Sequence, residues 1–194
     1  MKRWEFSLPP TAQKLETGTL LVATPALAGS FFAKSLILLC EHDAGGSFGL
    51  VLNNRLPVML SDAIDGLDDW DVSVFQGGPV QPHTLHFLHR APDAAVEGKE
   101  VADGIFWGGS MTDMLREVKL GHVNPNDIRF MVGYTGWGEE QLASEMEDES
   151  WFLLPATSDL IFESDTDKQW STALRAMGPA HAVFSNFPDD PRCN

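Results

Sequence analysis

Residues 31–53 read FFAKSLILLCEHDAGGSFGLVLN and constrain the chain more than any other stretch. Two apolar runs, Ser35–Glu41 and Phe48–Asn53, flank Asp43-Ala44-Gly45-Gly46-Ser47, a turn by composition. Runs this short, bounded by turn formers, predict two strands of a buried hairpin. Cys40-Glu41-His42 stands at the end of the first strand, beside the glycine turn.

The remaining elements are set by periodicity and punctuation. Gly18–Ala23 reads as a strand, and Pro25–Ala33 as a turn or short helix. Arg55-Leu56-Pro57 reads as a break. Met59, Leu60, Ala63, Ile64 and Leu67 have helical spacing. Strands are expected at Val72–Phe75, Thr84–His89, Ile105–Trp107, Ile128–Tyr134 and Trp151–Leu154, with Gln76–Pro82 a turn and Ala91–Gly98 a loop. Ser110 can cap a helix, with Asp113 at the capping-box position and Gly121 as its stop. An acidic helix is expected from about Glu139 to Glu147. Thr166 can cap a last one, ended by Gly178-Pro179. Strands in runs as well as alternating with helices predict a mixed-sheet α+β single domain rather than a doubly wound parallel sheet. Residues 1–16 read as a loose N-terminal arm, 17–178 as the domain and 179–194 as a C-terminal tail.

Composition narrows the function. Of 194 residues, 43% are hydrophobic, enough for a sizeable core. The net charge is −15, from 13 basic and 28 acidic residues. Binding to DNA requires cations that displace counterions from phosphates, so this balance argues against a DNA footprint and against docking on anionic lipid. Two cysteines, Cys40 and Cys193, cannot build a disulfide framework or a four-thiolate zinc site. No apolar run approaches the ~20 residues that span a bilayer. Leu20–Ala28 imitates a signal peptide, but its apolar run is interrupted by Thr24-Pro25 and it reads as a strand entering a turn. A cytoplasmic protein is expected.

Four segments carry a family resemblance: 18–53, FQGGPVQP (75–82), GYTGWGEEQLASEM (133–146) and Trp151–Phe162 with Pro155. In that order and spacing they resemble the AlgH/YqgE family of bacterial proteins, over roughly residues 17–178. The resemblance implies a bent sheet partly closed into a barrel and flanked by helices. It implies no established activity, and no catalytic residues to transfer. The family's occasional "transcriptional regulator" label need not mean direct DNA contact. The histidines near 83–89 and the C-terminal tail depart from the family pattern.

Several side-chain constellations are candidates for chemistry. On a regular strand Cys40 and His42 share a face, and an imidazolium there would favour the thiolate. The bland alternative is a core cysteine beside a polar strand end. Asn53, Asn54 and Arg55 can converge on the Gln76–Gln81 turn, giving a polar ligand cleft from Asn53, Arg55, Gln76, Gly77, Gly78 and Gln81, or turn chemistry alone. His83, His86 and His89 cannot gather one metal on a strand, because His86 points away from the other two. Gly133-x-x-Gly136-x-Gly138 and Gly108-Gly109-Ser110 are weak phosphate cradles without a P-loop lysine. No metal site and no cofactor are expected.

The reading is a non-enzymatic regulatory or interaction domain acting through a protein partner or small ligand. A thiol enzyme or redox sensor using Cys40 with His42 is the alternative, the Gly45-Gly46 or Gly77-Gly78 turn offering N–H groups. A direct DNA-binding transcriptional regulator is the weakest.

Overall fold

The computed structural model describes residues 14–65, 67, 70, 72–90, 96–163 and 165–186. The hairpin forms as expected: β2 (Leu36–Asp43) and β3 (Gly46–Val51) pair antiparallel. β1 (Thr19–Ala23) adds to the other side of β2, and β10 (Trp151–Pro155) to β1. Every residue of β1 is buried, because both faces of this part of the sheet are covered. Leu20, Val22, Leu36, Leu38 and Cys40 pack on one face against Trp170, Ala173 and Leu174 of α4 (Gln169–Ala176). Leu21, Ala23, Ile37 and Leu39 pack on the other with Trp137, Leu142 and Trp151. Two covered faces explain a continuous apolar run where a half-exposed strand would alternate.

The second half of the sheet is built around β9 (Ile128–Trp137). Its end runs antiparallel to β3. Its beginning lies between β5 (Ser73–Gln76), in parallel, and β6 (Val80–His89), antiparallel. β4 (Arg55–Met59) pairs with β5. β7 (Lys99–Ala102) and β8 (Ile105–Trp107) extend the sheet beyond β6. The ten strands among the described residues form one mixed, curled sheet, and Lys99 on β7 reaches Glu41 on β2 at 2.8 Å. α1 (Leu60–Ala63) and α2 (Met111–Lys119) border a third apolar cluster, in which Leu60, Met114 and Val118 meet Val74, Phe87, Ile128 and Phe130. α3 (Gln141–Glu147) and α5 (Pro179–Ala182) are the other α-helices among the described residues. The result is a single-domain α+β fold with a half-barrel.

Several local expectations change. Arg55–Met59 is a strand rather than a break: β4 pairs with β5 alone, and such an edge tolerates Pro57. The helix expected over 59–67 is one turn. Ser110 Oγ caps α2, accepting from Asp113 N–H at 3.2 Å, while the Asp113 carboxylate turns to Arg116 at 3.0 Å. Asp165, not Thr166, caps the turn that leads into α4. The expected tail is ordered as far as described: α5 and the turn Val183–Asn186 pack back, with the His181 and Phe184 rings 4.8 and 5.7 Å from Phe152. Residues 187–194 lie outside the described residues. So do 1–13 of the expected arm, of which Leu15 packs on the core and the Lys14 carbonyl accepts from Thr19 Oγ1 at 3.2 Å.

Candidate functional site

A β-bulge separates Cys40 from His42. The β2–β3 register runs Leu39 to Gly49 and then Glu41 to Phe48, so Cys40 is the extra residue. A bulge breaks the period of two, and paired residues share a face. Glu41 therefore faces the side of Phe48, which packs on the core containing Cys40. His42 pairs with Ser47, shares a 2.7 Å hydrogen bond with it, and lines a cavity near α3 with Leu142 and Ala143. The expectation that Cys40 and His42 share a face is corrected accordingly. Cys40 is 0% exposed, and burial, then the Glu41 carboxylate, push its thiol far above the usual range. The Gly45 N–H donates to Asp43 Oδ1 at 2.8 Å, and the Gly77 N–H donates to the Val132 carbonyl at 2.8 Å.

The Asn53–Gln81 group is only partly brought together. Asn53 accepts from Leu36 N–H and donates to the Lys34 carbonyl, both at 2.9 Å. Asn54 donates to Gln76 Oε1 at 3.1 Å, and the Gln76 N–H donates to the Asn54 carbonyl at 2.7 Å. Arg55 is exposed opposite Phe75. Gly77 accepts from Val51 N–H at 2.9 Å and lies inside the sheet. A methyl group on Gly78 would meet the Tyr134 carbonyl carbon at 2.1 Å. Gln81 stands across β9 on β6, accepting from Thr84 Oγ1 at 3.3 Å.

The three histidines of β6 stand in different surroundings. His83 is exposed. His86 sits in a half-buried aromatic cluster with Phe48, Trp107 and Tyr134. His89 is buried and stacks on Phe106 at 5.4 Å. Burial depresses both imidazole pKa values.

Sequence reasoning missed Arg129. It belongs to β9 and is 7% exposed. Its Nη1 donates to the Leu52 carbonyl at 2.8 Å and to Gln169 Oε1 at 3.2 Å, and its guanidinium lies over the Phe75 ring at 4.8 Å. Among the described residues no carboxylate pairs with it. Desolvation lowers its pKa to about 10, so it remains a cation at neutral pH. It borders a cavity of about 180 Å³ with Ser73, Phe75, Asn126, Ile128 and Phe162. The available signal was a cation inside an apolar strand.

Fold and site define a one-domain α+β protein whose half-barrel holds a buried cation beside a small cavity. The AlgH-like family profile (DUF179) matches residues 20–182, and the chain belongs to this family. A UPF0301 protein of Chlorobium limicola is 38% identical over 181 residues, 93% of this chain and 97% of the relative. One from Cytophaga hutchinsonii is 34% identical over 181 residues, covering 93% and 100%. Among solved structures, protein DIP2367 from Corynebacterium diphtheriae superposes with a TM-score of 0.72 at 22% identity, covering 90% of this chain and 94% of that one. The solution structure of the AlgH protein from Pseudomonas aeruginosa gives 0.70 at 24% identity, covering 97% and 98%. At those identities the structures speak for the fold.

Proposed function

We propose that this AlgH-like chain is a regulatory or interaction domain that works by reversible binding, to a small ligand or a protein partner, without covalent chemistry. The observation that carries the proposal is the Arg129 cavity. It offers a fixed cation and a hydroxyl, Ser73, and among the described residues its lining holds no histidine, carboxylate, lysine or thiol to activate that hydroxyl. A nucleophile without a neighbouring base is weak, whereas a preformed cation binds. The placement of Cys40 supports the same reading over thiol catalysis, since a sealed, protonated thiol neither reaches nor attacks a substrate. The net charge of −15 supports it over direct DNA contact. The proposal includes a cytoplasmic location, which suits a free thiol and the lack of a disulfide framework. No described helix is long and apolar enough to cross a membrane.

The test is a thermal-shift screen of the full chain against small metabolites, followed by recovery of each hit. The expected result is a raised melting temperature with the ligand recovered unchanged, in wild type and Cys40→Ala alike. Consumption of a hit, lost in Cys40→Ala, would replace this reading with thiol chemistry.

A further inference from the structure

We propose that Arg129 anchors a binding site for a small carboxylate, a monoanion of a few carbons. The inference rests on the ligand-binding reading above and names the ligand's chemistry.

Charge pairing elsewhere in the chain makes Arg129 unusual. Acids outnumber bases 28 to 13. Arg90 pairs with Asp127 and Glu163, Arg116 with Asp113 and Glu117, Lys99 with Glu41, and Lys168 with Asp165. These pairs are partly or fully exposed, where an ion pair contributes little. The deeply buried cation is the one whose described surroundings supply no acid. A buried charge without a countercharge is destabilising, and the described contacts give it only carbonyl oxygens and an aromatic face.

The geometry leaves one side open. Nη1 has two acceptors, and the Phe75 ring supports one face of the guanidinium. Gln169 is itself held, donating from Nε2 to the Leu160 and Ile161 carbonyls, so the fork is fixed before a ligand arrives. Nε and Nη2 have no acceptor among the described residues, and Arg129 borders the cavity. Two adjacent guanidinium N–H groups match the two oxygens of a carboxylate.

The walls limit the body that the carboxylate can carry. The lining surface is more polar than apolar: Ser73 and Asn126 offer a hydroxyl and an amide, and Val72, Ile128 and Phe162 leave a small apolar share that limits the body to a few carbons. About 180 Å³ is below the ~300 Å³ at which drug-sized pockets begin. Asp127 and Glu163, sequence neighbours of the lining residues Asn126, Ile128 and Phe162, are both tied to Arg90, whose guanidinium lies 5.3 Å from the Phe162 ring. A single cation suits a monoanion better than a phosphate dianion.

The full chain, labelled with ¹⁵N, is titrated with acetate, butyrate and inorganic phosphate at constant ionic strength while the Arg129 Nε–H resonance is followed. The expected result is a saturable shift with the carboxylates, tighter for butyrate than acetate and weakest for phosphate. Arg129→Lys should weaken butyrate binding roughly tenfold, about one charge-assisted hydrogen bond. Arg129→Met should abolish it. No saturable shift with any carboxylate, or a shift reproduced by chloride alone, overturns the proposal. Tighter binding of phosphate overturns the carboxylate assignment. The wild-type resonance decides even where a variant fails to fold. A ligand bound elsewhere and recovered unchanged would sink this inference and leave the ligand-binding reading standing. Conversion of butyrate would sink that reading instead.

Discussion

Arg129 on β9 and Leu52, just past the end of β3, are joined by a 2.8 Å hydrogen bond between side chain and carbonyl. Gln169 at the start of α4 closes the bracket, accepting from the same nitrogen. Gln169 is fully buried and also donates to the carbonyls of the turn Asp159–Glu163. Gln169→Ala should lower stability by about 2–4 kcal/mol, since it leaves buried polar groups unpaired. The urea midpoint measures this. A loss under ~1 kcal/mol would mean that water satisfies those groups.

Glu145 on α3 holds two indoles with one oxygen: Trp137 Nε1 and Trp151 Nε1 donate to Oε2 at 2.9 and 2.8 Å. Glu145→Ala removes the acceptor from both buried donors. It should cost about 2–4 kcal/mol and shift tryptophan emission to the red. Glu145→Gln keeps an acceptor oxygen and should cost less.

Gly133 has φ +69°, and a methyl group there would lie 2.6 Å from the Gly78 carbonyl oxygen. Gly133→Ala should therefore cost about 3 kcal/mol or more, because backbone must move. Gly121 has a similar φ, +73°, but open space around it. Gly121→Ala should cost only about 1–2 kcal/mol, the left-handed strain alone. Equal losses in chemical denaturation would refute the contact argument.

Acid should destabilise the domain through half-buried His86 and buried His89. Burial depresses the His86 and His89 pKa values below 6.5, so the native state takes up these protons at lower pH than the unfolded chain does. Below that pH the unfolded chain binds protons that the native chain refuses, and stability rises with pH. The contribution is complete above pH 6.5 and is lost as pH falls toward the depressed values. The urea midpoint should fall between about pH 7 and 5, and His89→Leu should flatten that slope. An unchanged slope in the variant would assign the effect to other groups.

What was legible in the sequence was local. The 35–53 hairpin announces itself because its apolar runs and glycine turn are contiguous, and Ser110 because a cap is a matter of three residues. The Cys40 bulge was hidden because pairing with β3 sets it, and a regular period of two puts His42 on the wrong face. β4 was hidden because Pro57 breaks a central strand but not an edge. Arg129 was hidden for a third reason: a charged residue between apolar ones reads as solvent-facing, yet Gln169, 40 residues later, covers it. Gly133 also resets the β9 alternation, so Tyr134 stacks on Phe48 at 4.7 Å instead of joining Ile128 and Phe130.

That the domain binds without using its core thiol is tested most directly by the alkylation rate of Cys40 against pH, with Cys193 replaced by Ser. Cys40 should react no faster than the chain opens, and its pH dependence should be that of an unfolded thiol titrating near ~8.5. Rapid reaction of the native chain, with a thiolate titrating well below that value, would contradict the account and return Cys40 to the centre of the function.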